Sequence, residues 1–347
     1  MKHTYFIGWW NVENLYSVMD WEARARKVKN VGGLKKSLEN WDNNVLDTKI
    51  AQLKMVIEAM NNGKGPDILG VCEVENEQVM KKLVEALEPV DTYAVIHHDS
   101  PDPRGIDVAF IYKKARLDTF AKNPAADPTM DEDGKYWFTY EVVKRSPTRD
   151  IFQVNFCPKG NRERPFIFIG NHWPSRLSGT YETEPYRILA AETLAYFGER
   201  IQEEYKQYHA NEQVPILVMG DFNDQPSDRS LIQYAGGSYN KTQVMKATSV
   251  RFYNLMWPLM SSGQMTYWHD GSGPLFFDQL MVSKGFLNED SKITIIDGSV
   301  KIEGTTIMND KSSRVYVKPY RFGWKVKNPP GFSDHFPVSL KIRVDTE

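Results

Sequence analysis

Cysteine is nearly absent from this chain. Its 347 residues include two, Cys72 and Cys157, and two thiols cannot build a disulfide framework. Both lie in or beside apolar segments, so reduced core thiols are expected. Long apolar runs are missing too. No stretch approaches the roughly 20 residues of a membrane span, and the opening, Met1 to Trp10, has one basic residue and no apolar core of the leader-peptide kind. Cytoplasmic residence is the expectation, with export the alternative where a leader has been removed. The net charge is only -2 and the pI about 6.4, which excludes a partner held by overall positive charge. Any attraction to nucleic acid must be local. Pro/Gly/Ser-rich linkers, internal repeats and long polar tracts are also absent, and 41% hydrophobic with 25% charged residues is ordinary globular usage. A folded chain with a sizeable core is expected.

What is present is a series of short apolar segments. Tyr5–Trp10, Asp67–Cys72, Tyr93–His97, Asp107–Tyr112, Tyr136–Val143, Phe166–Gly170, Pro215–Gly220, Phe277–Val282 and Val338–Val344 read as strands by length and by aromatic and β-branched content. Three segments carry a helical period. Asp47–Asn62 aligns Ile50, Leu53, Ile57 and Met60, Asn76–Glu88 aligns Val79, Leu83 and Leu87, and Thr183–His209 opens with Thr183 as N-cap and Pro185 in its first turn. Many strands and few helices predict one α+β domain over residues 1–347, with two packed sheets and helices outside. The charge-rich stretch Asp20–Asn44 lacks a period and reads as a polar insertion. Residues 298–327 carry Lys301, Lys311, Arg314, Lys318, Arg321, Lys325 and Lys327 against Glu303 and Asp310. That segment is either a solvated hairpin or a phosphate-binding patch.

Polar residues recur where apolar runs end. Asn11 and Glu13 follow the first run, Glu73 the second, His172 follows Phe166–Gly170, and Asp221 and Asn223 follow Ile216–Gly220. Strand ends of this kind converge on one edge of a sheet. Mg²⁺ takes hard oxygen ligands, typically one or two carboxylates plus substrate phosphate, and Glu73 and Glu13 suit that role. The amides of Asn11 and Asn223 can orient a phosphoryl oxygen or a water, and Asp221 can accept a proton from that water. His335, in Gly331-Phe332-Ser333-Asp334-His335-Phe336-Pro337, needs an orienting carboxylate, and Asp278 is the lone acid in an apolar strand. Each element also has a structural reading. Gly220-Asp221-Phe222-Asn223 suits a turn, Glu73 and Glu75 suit a helix cap, and Asn171-His172-Trp173-Pro174-Ser175-Arg176 suits either a turn or a phosphate clamp.

Taken together, Asn11-Val12-Glu13, Pro66-Asp67-Ile68-Leu69 with Glu73, Asn171-His172, Gly220-Asp221-Phe222-Asn223, Asp278 and Ser333-Asp334-His335 resemble one family over nearly the whole chain. That family is the endonuclease/exonuclease/phosphatase superfamily, which includes deoxyribonuclease I. The resemblance implies a four-layered α/β sandwich, two packed mixed β-sheets flanked by helices. It also implies Mg²⁺, for which Mn²⁺ can substitute, and cleavage of a P–O bond by in-line attack of water. By matching position, Glu73 is the principal metal ligand, helped by Glu13, Asn11 and Asp334. Asp221 orients or deprotonates the water with Asn223 beside it, His172 contacts the phosphate, and the Asp278–His335 pair stabilises developing charge. Glu13 stands where several members have Asp. Arg104-Gly105-Ile106-Asp107 places Asp107 as a further site residue, Arg176 and Trp173 are candidate substrate contacts, and Arg187 either braces the site or bridges to Glu184.

A calcineurin-like metallophosphoesterase is the competing hydrolase. It fits worse, because its motifs come in the opposite order and the acid it places after the His is Trp173 here. A non-catalytic binding module is the alternative of another class. Within the superfamily a phosphodiesterase acting on DNA or RNA is the leading expectation, with Arg145, Arg149, Arg162, Arg164 and Arg176 for charge and Trp173, Trp257, Tyr267 and Trp268 for stacking. The alternatives are a phosphomonoesterase and a lipid phosphodiesterase, the latter raised by Pro274-Leu275-Phe276-Phe277. No obligate protein partner is expected.

Overall fold

The computed structural model describes residues 2–18, 24, 31–119, 135–208, 213–288, 291–313 and 315–346. The first half supplies β1 (Lys2–Leu15), β2 (Ile68–Val74), β3 (Tyr93–His97), β4 (Asp107–Lys113), β5 (Leu117–Thr119), β6 (Trp137–Tyr140), β7 (Ile151–Pro158) and β8 (Phe166–His172). The second half supplies β9 (Ile216–Asp221), β10 (Gly237–Ser238), β11 (Phe252–Asn254), β12 (Tyr267–His269), β13 (Gly273–Leu275), β14 (Asp278–Val282), β15 (Ile293–Ile295), β16 (Lys301–Ile302) and β17 (Val338–Asp345). One sheet has the order β15-β17-β1-β2-β4-β3, with β16 on β17. The other runs β10-β11-β14-β9-β8-β7-β5, with β6 on β7, and β12 and β13 form a separate hairpin. Both sheets are mixed, since β1 with β2 and β8 with β9 are parallel while most other neighbours are antiparallel.

The helices are α1 (Val31–Ser37), α2 (Asn43–Gly63), α3 (Glu77–Ala86), α4 (Thr180–Tyr208) and three short ones, α5 (Lys241–Lys246), α6 (Trp257–Ser261) and α7 (Lys284–Leu287). The Asp42 carboxylate caps α2 by accepting from Val45 N–H, and the Asn76 side chain caps α3 through Val79 N–H. Helix α2 leaves helical geometry at Met60–Asn62, where Asn61 and Asn62 have positive φ. Helix α4 starts earlier than expected. Thr183 is inside it, with its hydroxyl bonded to Gly179 O, and the expected end at His209 lies outside the described residues.

Three apolar clusters define the layers. Trp9, Phe110, Phe152, Phe168, Met219 and Leu340 fill the space between the sheets, Leu53, Ile57, Met80 and Leu83 pack α2 and α3 on the first sheet, and Ala190, Leu194 and Ile201 pack α4 on the second. The order is helix, sheet, sheet, helix, as the resemblance implies. Strand β7 was not expected. Its Gln153 and Asn155 break the apolar pattern, yet both are buried and Gln153 Nε2 donates to Asn155 Oδ1 at 2.6 Å. Of the expected insertion, residues 31–44 form α1 and the start of α2, while residues 20–23 and 25–30 lie outside the described set, as does Arg314 of the basic segment.

Candidate active site

Sheet register assembles the second sheet's half of the site. Across β8, β9 and β14 the pairs His172↔Asp221 and Asp278↔Asp221 put three functional side chains abreast at one edge. The first sheet supplies Asn11 and Glu73, and the turn before β17 supplies Asp334 and His335. Ladder irregularities sit where the motifs lie: the β1–β2 register shifts between Asn11 and Leu15, and β2–β4 shifts between Cys72 and Val74. Glu13, Asn14, Glu73 and Asn223 all have positive φ. Bulges of this kind re-aim side chains, and left-handed non-glycine residues persist only where their surroundings hold them.

His335 is the most tightly fixed group. Its Nδ1 lies 2.6 Å from Asp278 Oδ2, and Asp278 Oδ1 accepts from Trp9 Nε1 at 3.2 Å. Its backbone N–H donates to Ser333 Oγ, which itself donates to Asn11 O at 2.6 Å. Tyr267 lies against the imidazole with ring centroids 4.6 Å apart. Burial alone would strip the proton from His335, but Asp278 and Asp221 outweigh it and hold the imidazole pKa well above its ordinary value. His172 is the opposite case. Burial, then Arg149 and Arg104, push its pKa well below the ordinary value, so it is neutral.

Asp221 is the meeting point. Its Oδ2 accepts from Asn11 Nδ2 at 3.0 Å and lies 3.8 Å from both His335 Nε2 and His172 Nε2, while Oδ1 accepts from Asn223 N–H at 2.9 Å. Burial raises its pKa, with His335 opposing and Asp278 reinforcing. Glu73 Oε2 accepts from Asn14 N–H at 3.0 Å, and its Oε1 stands 3.7 Å from His172 Nε2. The cavity over these groups measures about 530 Å³, and Glu73, Arg104, His172, Asp221, Arg321, Asp334 and His335 are among its walls.

The donor set fits a hard divalent cation. Asp334 has its carboxyl pKa pushed up to about 7 by burial and by Glu13, with Glu73 adding to the crowding, and like charges gathered in this way are what a bound cation relieves. A second grouping brings Cys72, His172 and Asp221 donor atoms within 4.8 Å of one another. Burial lifts the Cys72 thiol pKa well above its ordinary value, so it stays protonated and the oxygen set is the better ligand field for Mg²⁺.

Several expected roles change. Glu13, expected to help hold the metal, has both carboxylate oxygens occupied: Arg321 Nε and Gly323 N–H donate to Oε1 at 2.9 and 3.1 Å, and Phe322 N–H donates to Oε2 at 2.8 Å. It anchors a loop. Asn11 Oδ1 accepts from Glu13 N–H and its amide donates to Asp221, an arrangement that orients Asp221. Trp173 is buried, edge-on to Phe222 at 4.8 Å, and offers no stacking face. Arg176 is a brace, with Nε donating to Asn223 O at 2.6 Å and Nη2 paired to Asp224 and Asp228. Arg187 is buried, with Nε 2.7 Å from Asp224 Oδ1 but out of hydrogen-bond alignment and Nη1 on Thr183 Oγ1. It braces the Asp224 turn, and no contact with Glu184 is seen. Asp107 bonds Ser100 N–H and Oγ through Oδ1 and lies 3.1 Å from His97 Nε2 through Oδ2, outside the cavity wall. Arg149 holds His172 O and Trp173 O and pairs with Asp102.

Sequence reasoning passed over Arg104, Arg321, Tyr267 as a neighbour of His335, and Lys49. Arg321 was hidden in the basic segment, and Arg104 stood three residues before Asp107 in a motif read for its acid. Lys49 carried no signal, because one lysine on a surface helix is ordinary.

A family model described as "Endonuclease/Exonuclease/phosphatase family" matches residues 6–344. Among curated proteins nothing matches. Among solved structures, an endonuclease/exonuclease/phosphatase family protein from Bacteroides thetaiotaomicron aligns with TM-score 0.52 at 15% identity over 99% of this chain and 96% of that one. A mannosyl-6-phosphatase from the same species gives 0.50 at 16% identity, with 97% and 99% covered. ANGEL2, a 2′,3′-cyclic phosphatase, gives 0.52 at 11% identity, with 99% and 95% covered. At these identities the likeness is one of fold.

Proposed function

The chain belongs to the endonuclease/exonuclease/phosphatase family, and from that premise we propose that it is a Mg²⁺-dependent phosphoester hydrolase using water as nucleophile. One observation carries the reading: Glu73, Asp221 and His335, from three separate strands and turns, line one cavity, with Asp278 of a fourth strand behind His335. Glu73 and Asp334 would hold the cation, which when bound supplies charge neutralisation for the phosphoryl group.

The protein's own groups account for the rest. Asp221 Oδ2, fixed by Asn11, takes a proton from the attacking water as the new O–P bond forms. The leaving oxygen departs with the electron pair of the broken P–O bond. His335, kept charged by Asp278, presents Nε2–H to the oxygen where negative charge grows, and such preorganised donors act strongly in a water-poor cavity. Asn223 N–H holds the other Asp221 oxygen, so the base cannot rotate away. Neutral His172 adds a hydrogen bond rather than a charge.

A nucleic-acid diester, the sequence's leading expectation, keeps one observation in its favour. On the β12 hairpin, whose Tyr267 and His269 line the cavity, Trp268 lies 4.9 Å from Tyr316 with Lys318 5.8 Å over the indole, an aromatic and cationic surface of the sort that bases stack on. Hydrolysis of p-nitrophenyl phosphate and bis-p-nitrophenyl phosphate is the test. Activity should need Mg²⁺, vanish with EDTA, and fall in Glu73→Gln together with calorimetric Mg²⁺ affinity. Turnover that survived EDTA and Glu73→Gln would rule the reading out.

A further inference from the structure

Three arginines, Arg104, Arg176 and Arg321, line the cavity and two more, Arg149 and Arg187, are buried near its motifs; four of the five are committed to protein acceptors. Arg149 is on His172 O, Trp173 O and Asp102, Arg176 on Asn223 O and Asp224, Arg187 on Thr183 and Asp224, and Arg321 on Glu13. Arg104 differs. Its backbone is pinned, since its N–H donates to Asp102 Oδ1 at 2.9 Å, Gly105 N–H donates to Asp102 O at 2.9 Å, and the Tyr16 hydroxyl donates to Arg104 O at 3.3 Å. Its guanidinium makes no hydrogen bond among the described residues. The nearest carboxylate contact is Asp102 Oδ1 at 3.7 Å, and the other Asp102 oxygen is taken by Arg149 at 2.9 Å.

The side chain is 41% exposed and lines the cavity beside Glu73 and His172. A planar fork of N–H donors on an anchored turn, facing a site for phosphate, matches two phosphoryl oxygens at once. We infer that Arg104, aided by the exposed edge of Arg321, is an anion-binding wall that selects a terminal phosphate, so that the substrate class is a phosphomonoester. The inference rests on the hydrolase reading above and names its substrate.

The selection follows from counting oxygens. A terminal phosphate at neutral pH carries a charge of about -1.5 to -2 and three non-bridging oxygens, whereas a diester has one charge and two such oxygens. Arg104 and His335 both line the cavity, where His335 Nε2 lies 3.8 Å from Asp221 Oδ2. The third oxygen and the second charge exist only in the monoester, and Arg104 is the donor left unused to meet them. The ion pair with Asp102 is long, at 3.7 Å, so the guanidinium can turn to an arriving anion, and the better matched anion is the dianion.

Two measurements test this. In the first, kcat/KM for p-nitrophenyl phosphate and for bis-p-nitrophenyl phosphate is compared in wild type, Arg104→Gln and Arg104→Lys. Wild type should favour the monoester, and the monoester-to-diester ratio should fall about 10- to 100-fold in Arg104→Gln, the scale of a lost charged hydrogen bond, with partial recovery in Arg104→Lys. In the second, inorganic phosphate and dimethyl phosphate are titrated into Mg²⁺-loaded protein by calorimetry. Phosphate should bind more tightly, and Arg104→Gln should remove that difference while the circular dichroism spectrum stays native. A wild type that favours the diester, or a ratio unchanged by Arg104→Gln, overturns the inference and leaves the hydrolase intact. If neither ester turns over, the hydrolase reading falls, and the two titrations still decide whether the wall binds a terminal phosphate.

Discussion

At the scale of single residues, environment decides what each titratable group does. Two histidines a few ångströms from the same Asp221 oxygen end in opposite states, because His335 has Asp278 at 2.6 Å and His172 has Arg149 and Arg104 nearby. Replacing Asp278 by Asn should lower kcat about 10²- to 10³-fold, the range of a lost general acid–base or charge-stabilising partner. The sign of its pH effect follows from the same pair. Asp278 raises the His335 pKa, so the alkaline limb of the pH–rate profile should move to lower pH in Asp278→Asn. Asp150 offers a separate check on stability. Its carboxyl pKa is pushed up to about 6 by burial, then by Glu141 and Asp107, and its Oδ1 lacks a hydrogen-bond partner. The folded state therefore binds this proton more tightly than the unfolded state, and stability falls as pH rises from about 4 through 6. Asp150→Asn should stabilise the protein by about 1 kcal/mol at pH 7, discounted for partial exposure, and by nothing below about pH 4. Urea denaturation at the two pH values measures the difference.

At the scale of elements, helix α2 does more than cover a sheet. Its Leu53 and Ile57 face packs on the core as the periodicity predicts, while Lys49 and Gln52, one turn apart, grip the chain that carries Ser333, Asp334 and His335. Lys49 Nζ donates to Phe332 O at 2.6 Å, and Gln52 Nε2 donates to Pro330 O and Gly331 O at 2.9 and 3.2 Å. Burial lowers the Lys49 pKa to about 8, with Glu13 the first of the carboxylates opposing that fall. Lys49→Met should cut kcat about 10-fold with helix content unchanged, because Phe332 O is left without its donor and the His335 turn loosens; stopped-flow or steady-state kinetics beside circular dichroism checks it. Strand β7 was illegible for a different reason than Lys49. Polar residues inside an element break a hydrophobic pattern, and only their buried partners reveal why they are there.

At the scale of the whole molecule, two sheets packed face to face leave little room between them. A Cβ on Gly170 would meet Val108 Cγ1 at 2.7 Å and Phe110 Cζ at 3.1 Å, and one on Gly70 would meet Trp9 Cε3 at 2.7 Å. Gly170→Ala should therefore destabilise by about 1–3 kcal/mol through overpacking, read from the urea midpoint at constant slope. Close packing of this kind keeps the two halves of the site in register. The sequence by itself determined the nine apolar segments that are strands, that helices lie outside two sheets, and that Glu73, His172, Asp221, Asp278 and His335 gather at one edge, because local periodicity and the order of motifs survive in one dimension. It did not determine which charged groups remain free. Glu13, Arg176 and Arg187 are consumed by partners up to about 300 residues away, as in the 308-residue separation of Glu13 and Arg321, while Arg104 is left open beside Glu73. Only the tertiary structure decides that, because hydrogen-bond capacity is allotted among groups that sequence distance keeps apart and the fold brings within 3 Å.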